Sequence, residues 1–321
     1  MINGNSLTIE EPSTIQEATT LVETTIEDIL LDLKNIVIEN KKTNPRLAYF
    51  AVLYLYVTKR IQIETSKPKK PYKDYEDKEK KFSPFEDNDR MKRLDVIFAK
   101  RYIDAYNGWK DGKKISESWK IAFDFAVSNS SSMIMQHLLL GMNAHINLDL
   151  GIATVEATTV ENDGSKPKCE YKNFNSIVTD FSAINNILSD LTETVEECLA
   201  TNSFFFGLIR KYGKGKEAIL ANFSMQYARS AAWNFASEYR YQNNSDTICI
   251  RDKEINGLAD KMIHPKSILV RIFIILGSFT ESIMGKNFTD HMIKSLDATF
   301  PKELGVTFDE IEKKIEIAKN N

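Results

Sequence analysis

The strongest chemical signal in the sequence is a histidine and an aspartate within the apolar run MIMQHLLLGMNAHINLDLGIA, residues 133–153. At about 100° per residue of an α-helix, Asp149 lies within about 40° of His145, on the same face. Gly141 lies one turn before His145, where its missing side chain leaves room for another helix or for a ligand. The rest of this face is aliphatic and predicts burial of both polar side chains; it comprises Ile134, Leu138 and Ile152.

A buried imidazole and a buried carboxylate need partners, which restricts what this pair can do. Asp149 can accept a hydrogen bond from one ring nitrogen of His145 and orient the ring. His145 would then serve as a general acid or base near neutral pH. Alternatively, both side chains bind one divalent metal ion, Mg²⁺ or Zn²⁺. A third interpretation is a hydrogen bond that only holds helices together.

The small number of histidines limits any metal site. The chain has 4 His, which argues against a dense zinc cluster. His137 lies about 12 Å from His145 along a helix axis, so these two side chains cannot share one metal ion. A metal at His145 and Asp149 would therefore take its other ligands from carboxylates on neighbouring helices.

Two arginines also lie on apolar helix faces. Arg101 shares the face of Leu94, Ile97 and Ala105 in the run RLDVIFAKRYIDAYNGW. A guanidinium keeps its charge in proteins, so Arg101 needs a carboxylate, a carbonyl or an anionic ligand, and Asp149 is the simplest partner. The alternative is that Arg101 extends to solvent at the edge of the face. Arg229 shares a helix with aromatic residues, which favours packing against their rings.

A second possible metal motif occurs in the run NNILSDLTE. Asn185, Ser189 and Glu193 are spaced four residues apart, so a helix would place all three on one face. This pattern resembles the Asn/Ser/Glu magnesium motif of class I terpene cyclases, which are all-α enzymes that bind a diphosphate. The aspartate-rich DDxxD motif of those enzymes is missing. A solvated helix face is the alternative interpretation.

The elements that must position these residues are helices. Apolar residues recur at three- and four-residue spacing, which predicts an all-α, single-domain multi-helix bundle over residues 1–321 with a central buried helix around 133–156. A Lys-rich stretch, Lys67–Lys81 within a loop at about 66–88, predicts a mobile loop. The apolar stretch Ile268–Phe279 is too short for a bilayer span of about 20 residues and predicts a buried helix up to Met284.

Composition excludes several classes of protein. The 321 residues carry 42 Lys+Arg and 45 Asp+Glu, a net charge of −3, which gives no reason to expect nucleic acid as a partner. No signal peptide is visible, and the 3 Cys show no CxxC spacing. We therefore expect a cytoplasmic protein with reduced thiols and no transmembrane segment.

Several segments resemble a family known only as domain of unknown function 5995. The resemblance rests on LLLGMNAHINLDLGIA, on LDVIFAKRYIDAYNGW with SWKIAFDFA, and on FSAINNILSDL with YARSAAWNFA, and covers roughly Leu47–Ile275. It implies an all-α single domain, but no activity that can be carried over. The recurring polar positions of the family correspond here to Asn143, His145, Asp149, Arg101, Asp104, Arg229 and Trp233.

Together these features favour a small-molecule enzyme with a partly buried His/Asp/Arg pocket. His145 would be the general acid or base, or a metal ligand. Asp149 would orient it or share the metal, and Arg101 would hold an anionic group or neutralise Asp149. The competing hypotheses are a cyclase-like magnesium–diphosphate enzyme and a non-catalytic protein that binds an apolar ligand.

Overall fold

The structure, a computed structural model, describes residues 24–69, 82–128, 132–160, 168–169, 171–203, 207, 225–242, 245–284, 287–300 and 307–311. The fold is all-α, as predicted. The first six helices are α1 (Ile26–Asn40), α2 (Pro45–Ser66), α3 (Asn88–Lys110), α4 (Glu117–Ser128), α5 (Ile134–Ala144) and α6 (Leu150–Ala157). The next six are α7 (Tyr171–Ser176), α8 (Val178–Asn202), α9 (Met225–Gln242), α10 (Ser245–Ile263), α11 (Ile268–Met284) and α12 (Phe288–Ala298). Two short strands, β1 (Thr159–Val160) and β2 (Lys168–Cys169), pair in antiparallel fashion.

Local sequence signals explain how the first two helices begin. Thr25 and Asp28 form a capping box at the start of α1, in which each side chain accepts a hydrogen bond from the backbone of the other. Pro45 occupies the first turn of α2, where its missing N–H costs nothing. The two helices pack against each other and bury most of their aliphatic residues.

The predicted central helix is present, but it is interrupted by a different hydrogen-bond pattern. Residues His145–Asp149 form a π-helical turn between α5 and α6, closed by a hydrogen bond from the Leu150 N–H to the His145 carbonyl. Among the described residues, the most extensive contacts with this central element come from α2, α3, α4, α9 and α10. Ile134–Ala157 has the length and composition of a membrane span, but 94% of the apolar window is buried in the fold. Burial in the protein core accounts for its apolar character.

Helix α11 has the predicted bounds, but the prediction that it is buried is wrong. Ile268, Leu269 and Phe279 are 72%, 79% and 65% exposed. The inward face instead carries small and polar residues. Glu281 accepts a hydrogen bond of 2.7 Å from the Ile134 N–H at the start of α5. This hydrogen bond satisfies one of the backbone N–H groups left unpaired at the start of α5, while the apolar face of α11 lies outward.

The ends of the Lys-rich loop lie close together. Ser83 N–H donates a hydrogen bond of 2.9 Å to the Pro68 carbonyl. Helix α2 ends at Ser66 and α3 begins at Asn88, which agrees with the loop predicted at about 66–88. The mobile loop was predicted at about 66–88, and residues 70–81 of it lie outside the described ranges, so its mobility stays a prediction.

Candidate functional site

The π-helical turn brings His145 and Asp149 together in the core. Both side chains are 2–3% exposed, and Nδ1 of His145 lies 3.3 Å from Oδ2 of Asp149. An extra residue in the turn changes the direction of the side chains that follow it, and π-helical turns occur often at functional sites. The predicted hydrogen bond between the two residues is therefore present.

Asp149 is held by donors from two other helices. Trp119 Nε1 donates a hydrogen bond of 2.8 Å to Oδ2, and Arg101 Nε lies 3.2 Å from Oδ1. The predicted Arg101–Asp149 contact is thus confirmed. Arg101 also reaches Glu156 at 3.4 Å, where both side chains are partly exposed. His145, Trp119 and Arg101 all contact this carboxylate, which favours a role in positioning its neighbours.

This arrangement determines the state of the His145 ring. Burial lowers the pKa of His145, an effect that Asp149 opposes and Arg101 reinforces, so the ring is neutral at neutral pH. A carboxylate can only accept hydrogen bonds, so Nδ1 of His145 carries the ring proton and donates a hydrogen bond to Asp149. The other ring nitrogen, Nε2, is then a bare acceptor. It is buried and has no hydrogen-bond partner among the described atoms.

Aromatic rings fix the imidazole in place. The Phe98 ring stacks on His145 with centroids 3.5 Å apart and planes inclined by 6°. Tyr54 meets His145 edge-on at 4.3 Å, and Phe50 does so at 5.5 Å. Such packing removes rotamer freedom, so a bound molecule would meet a preset ring orientation.

His145 lines a cavity of about 230 Å³ beneath helices α2, α3, α5 and α8. The cavity wall is mainly aliphatic and aromatic, including Phe50, Leu138, Ile184 and Leu191. Asp149 and Arg101 do not line it, so they act behind His145 and position it. Leu53 and Glu196 are only half-buried, which opens part of the wall to solvent.

The cavity also contains a carboxyl group that sequence analysis missed. Asp95 is 2% exposed, and neither of its carboxyl oxygens makes a well-formed hydrogen bond in the described structure, where the Thr58 hydroxyl is its polar neighbour. Burial raises the pKa of Asp95 to about 7, which the neighbouring Thr58 hydroxyl partly opposes. The Tyr54 hydroxyl is also buried without a described partner. The sequence does contain a signal for the burial of Asp95. Met91 and Ala99 lie one helical turn before and after it, and both are buried.

The other predicted site residues are distributed through the fold. Arg229 lines the cavity. Asn143 is buried and donates to the Ile255 carbonyl at 3.1 Å, which ties α5 to α10. Asp104 is exposed and pairs with Lys100 at 2.8 Å. Trp233 stacks on Phe174 with centroids 4.6 Å apart and does not line the cavity.

The metal hypotheses find limited support in the geometry. In the described part of the chain, no group of three or more His, Cys, Asp or Glu side chains is arranged to hold a metal ion. His145 and Asp149 would supply two ligands at most. Asn185, Ser189 and Glu193 all lie on α8, and Glu193 is exposed. The side chains of Asn185 and Ser189 are outside the described residues, so the cyclase motif remains a prediction.

The fold and the site define an all-α protein with a buried His–Asp pair beside an apolar cavity. The family of unknown function DUF5995 matches residues 26–265, and the chain belongs to this family. The matched region contains Tyr54, Asp95, His145 and Arg229, and it ends before α11. No curated protein and no solved structure matches the chain.

Proposed function

We propose that the protein is an enzyme that moves protons on a small, largely apolar molecule held in the cavity. One observation supports this above the others. In the described structure, Nε2 of His145 has no hydrogen-bond partner and the carboxyl group of Asp95 has only the nearby Thr58 hydroxyl, and both residues are buried and line the same cavity. Buried polar atoms without partners cost roughly 1–3 kcal/mol each, and a bound substrate would remove this cost.

The two groups have complementary roles. Nε2 of His145 is an acceptor because Asp149 holds the proton on Nδ1. Asp95, with a pKa of about 7, carries a proton in a large fraction of molecules at neutral pH. Asp95 therefore donates a proton to an oxygen of the substrate while His145 removes one from a neighbouring atom. In the molecules that carry a proton on Asp95, neither group is charged before the transfer, so the apolar site does not have to stabilise an ion in that state.

The dimensions and lining of the cavity define the kind of substrate. A volume of about 230 Å³ is larger than the roughly 150 Å³ of apolar cavities that accept benzene. It suits a molecule with one or two rings, or a medium-length chain. Because the wall is mainly aliphatic and aromatic, the body of that molecule would be apolar, with a polar group where it meets His145 and Asp95.

Exchange of carbon-bound hydrogen on a simple ketone tests the proposal directly. Acetophenone in D2O, followed by proton NMR, exchanges its methyl hydrogens when a base removes one of them while an acid protonates the carbonyl oxygen. We expect faster exchange with the protein than with buffer. His145→Gln and Asp95→Asn should each lower the protein-catalysed rate by roughly 10²-fold or more.

His137→Gln provides a matched control, since His137 is also buried but lies outside this cavity. This variant should keep the exchange rate of the unaltered protein. Binding of acetophenone without any exchange above buffer would reject the enzyme and leave a binding protein. Absence of binding as well would reject the cavity as a ligand site.

Non-catalytic binding of an apolar ligand is the second candidate. The observation that favours it is the wall itself, in which aliphatic and aromatic side chains greatly outnumber polar ones. In that case His145 and Asp95 would only orient the ligand. The ketone experiment separates the two candidates. A binding protein would hold acetophenone without raising its exchange rate above that in buffer, and His145→Gln would not change that rate.

A further inference from the structure

We infer that the ligand of the cavity carries a single carboxylate, which pairs with Arg229. This inference rests on the proposed function, because it assigns the substrate class of the same cavity. The sequence around Arg229 favours only packing against aromatic rings. The inference follows from the contacts that its guanidinium makes in the structure.

Arg229 projects from α9 against α8 and lines the cavity. It is 4% exposed. One terminal nitrogen donates a hydrogen bond to the Phe181 carbonyl, and the guanidinium carbon lies 4.3 Å from the centre of the Phe181 ring. The Nε atom is buried and has no partner within the described structure.

These contacts do not neutralise the charge of Arg229. A carbonyl oxygen and an aromatic face supply partial charges only, and a guanidinium stays protonated in proteins. Among the residues that the structure describes, none forms an ion pair with Arg229. Burial lowers the pKa of Arg229 to about 9, and no acidic group of the described residues offsets this effect. A buried cation of this kind is costly unless an anion joins it, and the open side is the cavity.

The positive charge of the cavity restricts the anion to a single negative charge. Among the described residues that line the cavity, Arg229 is the one whose side chain is a cation, since the His145 ring is neutral. A phosphate monoester with two charges would leave one charge without a partner against an apolar wall, whereas a carboxylate needs only one guanidinium, which it matches in shape. Ile184, Leu188 and Leu191 on α8 would then contact the apolar body of the molecule. The substrate class is therefore an apolar monocarboxylic acid.

Calorimetric titration with octanoate and with octan-1-ol tests the inference on the full chain. The two probes have similar chains and differ in the charged group. Arg229→Met keeps the apolar stem but removes the guanidinium, so octanoate affinity should fall at least tenfold while octan-1-ol affinity stays within about twofold. Arg240→Met is the matched control, because Arg240 packs on Phe174 at 4.6 Å from the same helix and does not line the cavity. It should change neither affinity.

The outcomes separate this inference from the proposed function. Suppose that octanoate and octan-1-ol both bind, and that Arg229→Met weakens neither or weakens both equally. The assignment of a carboxylate to the ligand is then overturned, and the proposed acid–base function of the cavity is unaffected. If the unaltered protein binds neither probe, the cavity itself is wrong and both ideas fail.

A measurement on the unaltered protein avoids any dependence on variant folding. Octanoate labelled with carbon-13 at the carboxyl group should remain ionised in the bound state to a lower pH than free octanoate, because Arg229 stabilises the anion. A bound carboxyl that titrates at the same pH as the free acid, or higher, would overturn the inference.

Discussion

Trp119 donates a hydrogen bond of 2.8 Å from its indole nitrogen to Oδ2 of Asp149, and both residues are 2% exposed. The same carboxylate faces His145 on its own helix and Arg101 on α3. Three elements of the fold are therefore joined through one buried carboxylate. Because each neighbour donates a hydrogen bond to the Asp149 carboxylate, all three contacts depend on its negative charge.

Replacement of Asp149 should therefore be strongly destabilising. Asp149→Asn removes the charge and presents an amide N–H to neighbours that are themselves donors. We expect the free energy of unfolding to fall by about 3–5 kcal/mol, as when one partner of a buried ion pair is lost. Urea denaturation measures the change. Asp104→Asn is the control, since Asp104 makes an exposed ion pair that contributes at most about 1 kcal/mol. Equal effects of the two substitutions would show that Asp149 does not hold the site together.

The protonation state of His145 gives a second prediction. Nitrogen-15 NMR of the side-chain imidazoles should show His145 as a neutral ring with its proton on Nδ1, because burial lowers its pKa and Asp149 accepts from Nδ1. The ring should stay neutral below pH 6.5, the usual pKa of a histidine being about 6.5. A positively charged His145 at pH 6.5, or a proton on Nε2, would contradict its role as a base toward the cavity.

Asp95 should give a measurable pH dependence of stability. Its pKa in the folded protein is about 7, against an ordinary value of 3.8. Between these values the folded state binds more protons than the unfolded state, so the contribution of Asp95 to stability is full below pH 3.8 and is lost as the pH rises through 7. Asp95→Asn removes this titration. The stability of the variant relative to the unaltered protein should therefore rise with pH, by at most about 1.4 kcal/mol per pH unit.

Unfolding in urea at pH 5, 6, 7 and 8 measures this difference for the two proteins side by side. Groups other than Asp95 titrate in both and cancel in the comparison. A constant difference across the range would mean that Asp95 is not the buried, partly protonated carboxyl that the proposed chemistry needs.

The sequence was sufficient to predict the central helix and the polar pair within it. A 3.6-residue periodicity places His145 and Asp149 on one buried face, and a charge on such a face needs a partner such as Arg101. The π-helical turn was not predictable, because a hydrogen bond five residues along the chain has no distinct residue signature. The cavity was not predictable either, since it is a gap left by several helices that pack around α5.

Two features, the buried Asp95 and the exposed face of α11, were not predicted correctly, and both have physical explanations. Asp95 was missed because a single acid among aliphatic residues looks like a surface position unless the packing on both sides is known. The burial of α11 was wrongly predicted because apolarity expresses a preference for contact but does not supply a covering element. The described neighbours of α11 cover the face of Ser278 and Glu281, and leave the face of Leu269 and Phe279 open.

Gly141 provides a test of how closely the wall of the site is packed. A methyl group at this position would lie 2.6 Å from Cγ of Phe50, the ring that also contacts His145. Gly141→Ala must therefore displace Phe50, and we expect a loss of about 1–3 kcal/mol in the free energy of unfolding from overpacking. The displacement should also lower the affinity of the cavity for acetophenone, because Phe50 is part of its wall.

Gly257→Ala is the matched control for this substitution. Gly257 lies within α10, and an added methyl group there would meet no atom within 4 Å. The same change should therefore stabilise the protein by about 0.5–1 kcal/mol, the usual difference between alanine and glycine in a helix. Opposite signs at the two positions, measured by urea denaturation, would establish that Gly141 is required by the approach of α2 to the central helix. A stabilising Gly141→Ala would show that Phe50 has room to move and that the His145 ring is less firmly held than its aromatic contacts indicate.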